Sequence, residues 1–331
     1  NMNINIFIRK KTKYYEYSIE RFAKQLEKSK TEQININIIR CPLTSKGLIN
    51  RIYLIIWSFF HQGDVNHILG DINFISLLMK KDRTINTFLD CRLLNEFKGF
   101  KRIIYKFFWF HVPVMKSNLT TFISKFTKLQ IEKNLNNKID RSYVIPVPLF
   151  DDFIFKINKN KKKKILIVGT LPHKNIENMI KSTIGLNVDL TIVGKLNTKL
   201  KTLCQDKQIE IKNYVSVSNN KIKLLYKQSD ILLMVSEYEG FGMPILEAQA
   251  SGVAVITSNK EPMKSIAGKH ALFSNPKKIK QIKNQIIKIL EDKKLFIKLI
   301  KQSKLNSSYY SSDKICKKYH QLYLKLHKYD N

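Results

Sequence analysis

A strand, a loop and a helix can be read in residues Ile231–Gly252, ILLMVSEYEGFGMPILEAQASG. The apolar run that ends at Ser236 lacks alternating polar residues, which is typical of a parallel strand buried on both faces. Two glycines follow, and Pro244 opens a helix, because proline is favoured at the first helical position. Glycine lets the backbone approach a ligand closely, and the amides at a helix N-terminus attract negative charge. The segment therefore predicts a seat for a diphosphate.

Two carboxylates flank this loop. Glu239 precedes it, and Glu247 lies one turn into the helix. A carboxylate accepts two hydroxyl hydrogens, so each of them suits a sugar ring. Taken singly, each acid also has a structural interpretation: Glu247 as a favourable charge near a helix N-terminus, and Glu239 as a solvated loop acid. The whole string is much more specific than either acid alone.

The string EGFGMPILE resembles the E-x7-E signature of glycosyltransferase family 4, whose members are retaining GT-B enzymes. The resemblance implies that Glu239 contacts the donor sugar beside its anomeric carbon, and that Glu247 binds the ribose hydroxyls. It also implies that the intervening backbone approaches the sugar and the phosphates. The residues expected to do so are Gly240, Phe241, Gly242, Met243 and Pro244.

A second segment, Ile165–Asn175, resembles the opening of the donor domain in the same family: a buried strand, a loop and Lys-Asn before a helix. The resemblance places Lys174 against the diphosphate, where a charge pair about 4 Å apart is worth about 4 kcal/mol at an effective dielectric of about 20. Gly169, Thr170 and Asn175 are expected to line the same site. Many relatives carry Arg where this chain has Thr170, so one positive contact is missing. The competing interpretation of Lys174 is an ordinary surface lysine.

The resemblance extends over about residues 164–273. Asn213–Ser216 resembles the strand end that meets the nucleotide base, which makes Val215 a candidate for that contact. Ser265 departs from the family pattern, because a Glu usually precedes the Gly268 turn.

Strand-like and helix-like segments alternate along all 331 residues, and this alternation favours doubly wound parallel sheets. The expected fold is α/β of the GT-B type, with two Rossmann-like domains facing a cleft. We expect an acceptor-binding domain at residues 1–157 and a donor-binding domain at residues 158–310. The basic run NKNKKKK, residues 158–164, is interpreted as a solvated linker, with phosphate binding as the alternative. A final helix, Ser311–Tyr329 within residues 311–331, is expected to pack back on the first domain.

The first half matches the family poorly. Arg9–Lys13 replaces the usual glycine-rich loop, so basic side chains are expected to meet the acceptor. His67 ends a strand and resembles a recurrent histidine of the fold, with a structural core histidine as the alternative. Asp90 follows the strand TINTFL where relatives often show His-Asp, and here Leu89 replaces the His. Asp90 is the best candidate for a catalytic group on the acceptor side. The catalytic candidates on the donor side are Glu239 and Lys174.

The formal charge is +33, from 59 Lys and Arg against 26 Asp and Glu. Such a surface attracts polyanions or anionic lipid, although the Lys-, Asn- and Ile-rich composition also fits drift in AT-rich coding DNA. Two apolar-basic stretches suit a membrane surface, Arg51–Gln62 and Lys101–Val112. For Arg51–Gln62 a helix in the core of the first domain is the favoured interpretation. For Lys101–Val112 a core helix and a membrane-binding helix are equally favoured.

Metal and compartment signals are weak. The four cysteines, Cys41, Cys91, Cys204 and Cys316, show no CxxC spacing and predict free thiols rather than a zinc site. No D-x-D triplet occurs, so we expect neither a metal nor another cofactor. Met2–Ile8 is strand-like and lacks the architecture of a signal peptide. A cytoplasmic location, or one on the inner face of the membrane, is expected.

The predicted activity is retaining transfer of a hexose-type sugar from a UDP- or GDP-sugar to a glycan or lipid-linked acceptor, in bacterial surface polysaccharide synthesis. A nucleotide-sugar epimerase on the same fold, a non-enzymatic polyanion-binding protein and a degenerate transferase remain as alternatives. The sequence shows no recognisable nucleic-acid motif, so no nucleic-acid partner is expected.

Overall fold

The computed structural model describes residues 1–10, 18–150, 153–158 and 160–328. The chain divides into two compact units, one of residues 1–150 and 312–331, the other of residues 151–311. Several sequence predictions fall outside the described residues: Lys11–Lys13 of the basic loop, Lys159 of the expected linker and Tyr329 of the final helix.

The first unit is built on six parallel strands in the order β2-β1-β3-β4-β5-β6. All five residues of the third strand and all five of the fourth are buried, as is usual when helices cover both faces of a parallel sheet. Its elements are β1 (Met2–Ile8), α1 (Ser18–Lys28), β2 (Ile34–Arg40), α2 (Leu48–Phe60), β3 (Val65–Leu69), β4 (Thr84–Phe88), α3 (Arg92–Glu96), α4 (Gly99–Lys106), a π-helix (Phe107–His111), α5 (Val112–Met115), β5 (Leu119–Phe122), α6 (Lys125–Leu135) and β6 (Ser142–Val144), with short 3-10 turns at Asn73–Leu78 and Lys81–Arg83.

The second unit has its own six-stranded parallel sheet, ordered β9-β8-β7-β10-β11-β12. Strand order reverses between β7 and β10, which is the topological switch point where open α/β sheets bind ligands. Its elements are β7 (Lys163–Val168), a 3-10 turn (Pro172–Lys174), α7 (Ile176–Ser182), β8 (Val188–Val193), α8 (Thr198–Asp206), β9 (Ile211–Tyr214), α9 (Asn219–Gln228), β10 (Ile231–Met234), α10 (Met243–Ser251), β11 (Ala254–Ser258), α11 (Met263–Ala267), β12 (Leu272–Ser274), α12 (Ile279–Glu291) and α13 (Lys293–Ser308).

The last helix, α14 (Ser312–Lys328), belongs to the first unit. Tyr319 and Tyr323 are fully buried there, and the Tyr319 ring meets Phe22 of α1 edge-on at 5.6 Å. The Tyr323 hydroxyl lies 2.7 Å from Nδ1 of His67 on β3. Aromatic rings with one polar tip therefore join α14 to the first sheet.

His67 is a core residue, which corrects its assignment to substrate binding. The ring is fully buried, its Nε2 lies 2.6 Å from Thr87 Oγ1, and Tyr323 takes its other nitrogen. Both polar atoms of the ring are thus satisfied inside the protein, and neither is left for a substrate. Burial disfavours the imidazolium and lowers the pKa of His67 to about 3.

This lowered pKa predicts acid sensitivity. Below pH 6.5 the unfolded chain binds a proton at His67 that the folded chain refuses until about pH 3, so the stability of the folded state falls across that window. The slope from this residue is about 1.4 kcal/mol per pH unit. Urea unfolding measures the free energy of unfolding at pH 7 and at pH 5. Its decrease from pH 7 to pH 5 should be about 2 kcal/mol larger in the parent than in His67→Gln. Parallel pH dependence in the two proteins would show that His67 is not buried in its neutral form.

The unit boundary lies at Phe150 rather than Ile157. The segment that follows packs on the second unit, where Phe153 meets the Tyr226 ring and the Lys156 amide donates to Ser251 O. The basic run is not a free linker either. Lys163 already lies in β7 and pairs with the buried Asp230 at 3.1 Å, which neutralises part of the run.

The strands expected at the start of the chain and before the loops of the donor domain occur as β1, β7 and β10, and β9 ends at Tyr214, within the expected strand end Asn213–Ser216. β12 was not predicted, because it has only three residues, LFS, and is not a continuous apolar run. α12 begins at Ile279, three residues after Pro276. The Pro276 carbonyl accepts from the Asn175 and Asn178 side-chain amides. All four cysteines are free and buried, as expected. No helix in the described ranges has the length and apolar character needed to cross a bilayer.

Candidate active site

The first part of the site is the loop after β7. Gly169 takes a φ of 92°, a conformation that favours glycine, and its amide donates to Val193 O at 2.8 Å. A side chain at this position would collide with the Lys174 stem, since a Cβ added there would lie 3.1 Å from Lys174 Cε. Gly169 therefore allows Lys174 to fold back across the end of the strand.

The second part is the loop after β10. Gly242 takes a φ of 113° and precedes α10, and Pro244 stands in the first turn of that helix. The Phe241 ring is buried and meets Tyr310 edge-on, so its side chain anchors the loop. What Phe241 can offer a ligand is its backbone amide, close to the helix N-terminus where the partial positive charge of the helix lies.

An ion pair joins these two loops at the switch point. Lys174 Nζ lies 2.6 Å from Glu239 Oε1, and the two side chains are only 14% and 10% exposed. The Glu237 amide also donates to the His173 carbonyl at 2.8 Å, which fixes one loop against the other. The two groups that the sequence analysis assigned to catalysis in this unit are thus in direct contact. A surface lysine and a solvated acid, the structural alternatives, do not describe this pair.

Glu247 lies on the same helix and faces inward. It is 6% exposed, and its Oε2 accepts a hydrogen bond from the Tyr226 hydroxyl at 2.9 Å. It is the fifth residue of α10, beyond the first turn, so a simple helix-dipole role does not account for its burial. Tyr226 was not predicted, and only its place in LLYKQSD, the helix before the signature strand, could have indicated it.

Tyr226→Phe should raise KM for the sugar donor about tenfold and leave kcat nearly unchanged. A hydrogen bond to a carboxylate is worth about 1.5–3 kcal/mol, and a carboxylate that grips the ribose acts equally before and in the transition state. Steady-state kinetics with varied donor concentration measures this split. Tyr309→Phe, on the surface of the same unit, is the matched control and should keep parental kinetics. An unchanged KM in Tyr226→Phe would remove Glu247 from donor binding.

Asn175 has a structural role that the sequence did not indicate. Its side-chain amide donates to Val235 O and Pro276 O, at 3.0 and 2.7 Å, and its backbone is left-handed with φ 60°. Both N–H groups of this amide are therefore used inside the protein. It orients the turn that carries Lys174.

Thr170 and Val215 follow β7 and β9, the two strands that flank β8. Thr170 packs on Gly194, where a Cβ would come within 2.6 Å of Thr170 Oγ1, so Gly194 is needed for this close approach and is a second residue absent from the predicted site. Val215 follows β9 directly and is half exposed, and the β9 carbonyl of Tyr214 accepts from the Gly194 amide. Both residues are therefore at the carboxyl edge of the sheet, where a ligand would bind.

Asp90 belongs to the first unit and follows β4 at the same type of edge. It is exposed, and its Oδ1 accepts from the Arg92 amide at 3.0 Å at the start of α3. Arg9 follows β1, pairs with the buried Glu20 at 3.2 Å, and lies 3.6 Å from Asp71. In the described part of the chain, no cluster of three His, Cys, Asp or Glu is placed to hold a metal ion.

Comparison with known proteins identifies the second unit. The family described as "Glycosyl transferases group 1" matches residues 150–306. The match covers 157 of the 331 residues, slightly under half of the chain. This match contains both loops and the Lys174–Glu239 pair, as well as Glu247 and Tyr226.

Relatives of this group 1 domain are named for polysaccharide synthesis. The chain is 31% identical to the O-antigen chain mannosyltransferase RfbU of Salmonella typhimurium, over 54% of this chain and 52% of that protein. It is 24% identical to the O-antigen chain mannosyltransferase B of Escherichia coli, over 64% and 62% of the two chains. The chain thus spans about half to three fifths of these relatives.

A solved structure shares the fold of the whole chain. Anabaena Alr3699/HepE, in complex with UDP and glucose, superposes with a TM-score of 0.80 over 97% of this chain and 99% of that one, at 12% identity. At this identity the likeness shows the fold alone. Together with the two parallel six-stranded sheets, it confirms the predicted GT-B fold of two Rossmann-like domains.

Proposed function

We propose that the protein is a retaining, metal-independent glycosyltransferase that moves a hexose from a UDP- or GDP-sugar to a glycan or lipid-linked acceptor. The observation that carries the proposal is the Lys174–Glu239 pair at the switch point of the group 1 domain. The names of the relatives support surface polysaccharide synthesis, and because both are mannosyltransferases they favour a mannose-type hexose. Of the two candidate nucleotides, UDP and GDP, the UDP bound by HepE supports UDP as the nucleotide of the donor.

The donor would lie over the loops after β7 and β10. Its diphosphate would bind to the N-terminus of α10 and to the Lys174 ammonium, and its ribose hydroxyls would donate hydrogen bonds to Glu247. Lys174 then exchanges part of its contact with Glu239 for the phosphates, and the released Glu239 oxygen can accept a hydroxyl hydrogen of the sugar. In the free protein each partner keeps the other neutralised, because an unpaired charge at about 10% exposure is costly.

Charge on the diphosphate grows as the glycosidic bond breaks. A lysine and a helix N-terminus already in place stabilise that charge without reorganisation, and this favours the transition state over the ground state. In the proposed path the acceptor attacks the face that the diphosphate leaves, and a donor phosphate oxygen takes the acceptor proton. Glu239 orients the sugar and stabilises its developing positive charge. Asp90 is the proposed acceptor-side group, at the carboxyl edge of the first sheet.

Product analysis tests the proposal. The purified protein is incubated with UDP- and GDP-hexoses, with a lipid-linked or oligosaccharide acceptor, and with EDTA present. We expect a glycosylated acceptor whose new bond keeps the anomeric configuration of the donor, as read by NMR. An inverted product would contradict retention, and loss of activity in EDTA would contradict metal independence. Release of free epimerised donor would instead identify an epimerase.

A further inference from the structure

Helix α2 presents an apolar face outward. Only Leu54 and Ser58 of its thirteen residues are buried, so the interpretation of Arg51–Gln62 as a core helix is wrong for most of its surface. Ile49 is 82% exposed and Phe60 is 75% exposed. The large apolar side chains on this face are Leu48, Ile49, Ile52, Tyr53, Ile56, Phe59 and Phe60. Monomeric proteins rarely leave such a continuous apolar strip in water.

The helix pair α4 and Phe107–His111 exposes a second apolar strip in the same unit. Trp109 and Phe110 are buried and anchor the pair, and the π-helical turn lies at this anchor. Phe100, at 75% exposed, stands at the opposite end. The other exposed apolar side chains are Ile103, Ile104, Phe107 and Phe108.

Both strips are basic and lack acids. Residues 48–60 and 97–111 together contain five Lys and Arg and no Asp or Glu. The whole chain has roughly one acid for every two bases, so compositional drift alone would place acids here as well. The arrangement of apolar residues with cations, and without acids, matches the surface of an anionic bilayer.

A cavity of about 560 Å³ joins the two strips. Its cations are Lys46, two residues before α2, Arg51 on α2 and Lys101 on α4. Arg51 stacks over the Trp109 ring at 4.8 Å and donates from Nε to Ser45 O at 2.9 Å, which holds the guanidinium at the wall. Asp71 also lines the cavity, and its Oδ2 lies 3.6 Å from Arg9 Nη1. A cavity lined by both aromatic rings and cations suits a phosphate joined to an apolar chain.

We propose that this face, made of residues 48–60 and 97–111, docks on an anionic phospholipid bilayer, and that the cavity receives the phosphate headgroup of one of its lipids. The inference deepens the proposed function, because a transferase docked in this way meets a lipid-linked acceptor at the membrane surface. A second copy of the chain is the less favourable occupant. A two-fold interface would set each cationic strip against its own like charges.

Vesicle co-sedimentation in the absence of donor tests the docking, so its failure leaves the transferase proposal standing. Vesicles of phosphatidylcholine with phosphatidylglycerol should bind the protein, and vesicles of phosphatidylcholine alone should bind it much more weakly. Each cation near anionic lipid contributes about fivefold. Lys46→Gln/Lys101→Gln should therefore weaken binding about 25-fold. Lys294→Gln/Lys298→Gln, with the same charge change on exposed lysines of α13, should bind like the parent.

Replacement of exposed apolar residues by serine tests the hydrophobic part of the contact with the bilayer. Ile49→Ser/Phe60→Ser should weaken vesicle binding at least about tenfold, since each side chain loses apolar burial. Leu305→Ser, at an exposed position of α13, is the control. Equal binding to neutral and anionic vesicles, or parental binding by both double variants, would overturn the proposal. A dimer in vesicle-free solution that Ile49→Ser/Phe60→Ser dissociates would assign the face to self-association instead.

The tryptophans report on the cavity. The chain has two, Trp57 on α2 and Trp109 at the cavity wall, so Trp57→Phe leaves a single reporter. Short-chain phosphatidylglycerol, below its micelle concentration, should change Trp109 emission and reach saturation. Inorganic phosphate at the same concentration should not, because it lacks the apolar chain. Equal responses to both, or none to the lipid, would show that the cavity is not a lipid site.

Discussion

Lys174→Ala should lower kcat for sugar transfer about 10²–10³-fold, the scale for losing one preorganised electrostatic group. The Lys174 ammonium lies at the switch point, 14% exposed and 2.6 Å from Glu239, so no solvent cation can take its place at full strength. The diphosphate gains negative charge as it leaves, and the loss therefore falls on the chemical step more than on donor binding. Single-turnover transfer at saturating donor measures it.

A matched lysine separates charge loss from damage to the fold. Lys199 pairs with Glu177 at 2.7 Å in the same unit, but its side chain is 73% exposed. Exposed pairs contribute little, so Lys199→Ala should keep parental turnover. If Lys174→Ala turns over within threefold of the parent, Lys174 does not stabilise the leaving group.

Glu239→Ala should cause a loss of the same size, about 10²–10³-fold in kcat. The variant leaves the Lys174 charge unpaired in a poorly solvated place and removes the carboxylate beside the reacting sugar. Glu239→Gln retains an acceptor oxygen without the charge. The decrease in kcat should therefore be smaller in Glu239→Gln than in Glu239→Ala if a hydrogen bond to the sugar matters. The two decreases should be equal if only the charge matters. Rates at saturating donor, with circular dichroism to check folding, provide the comparison.

The two residues should also act as a unit. Groups that serve one transition state are strongly non-additive, so Lys174→Ala/Glu239→Ala should be little worse than the more damaging single variant. Losses that multiply, giving a double variant slower by about 10⁴-fold or more, would mean that the pair is structural in the free protein and that each residue acts alone in catalysis.

The sequence was most informative where the chain makes continuous apolar strands. β7 and β10 were predicted because their residues form continuous apolar runs, and the loops after them carried a resemblance specific enough to indicate Lys174, Glu239 and Glu247. Short edge elements such as β12 carry too few residues to produce a pattern. Strand order, which brings the two loops together, depends on long-range pairing that a single sequence does not show.

The sequence also did not indicate which side chains form hydrogen bonds with each other across the fold. Nothing local to Tyr226 indicates that its hydroxyl reaches Glu247, 21 residues away. His67 was expected at the end of a strand but lies in the middle of β3, and Asn175 stands before a helix as binding residues often do. The ring nitrogens of His67 and the side-chain N–H groups of Asn175 are hydrogen-bonded inside the protein. The outward face of α2 was misjudged because a helix rich in Ile, Leu and Phe usually faces a core, and only its neighbours decide which side is covered.

The central claim is that the loops after β7 and β10 bind a nucleotide-sugar through Lys174 and Glu247. Isothermal titration of UDP- and GDP-hexoses into the parent, Lys174→Ala and Glu247→Ala tests it most directly. We expect the parent to bind at least one donor, Lys174→Ala to bind the same donor more weakly, and Glu247→Ala to bind it about 10²-fold more weakly, as expected when a buried site loses a charged hydrogen-bond partner. A parent that binds no nucleotide-sugar, or variants with parental affinity, would contradict the account.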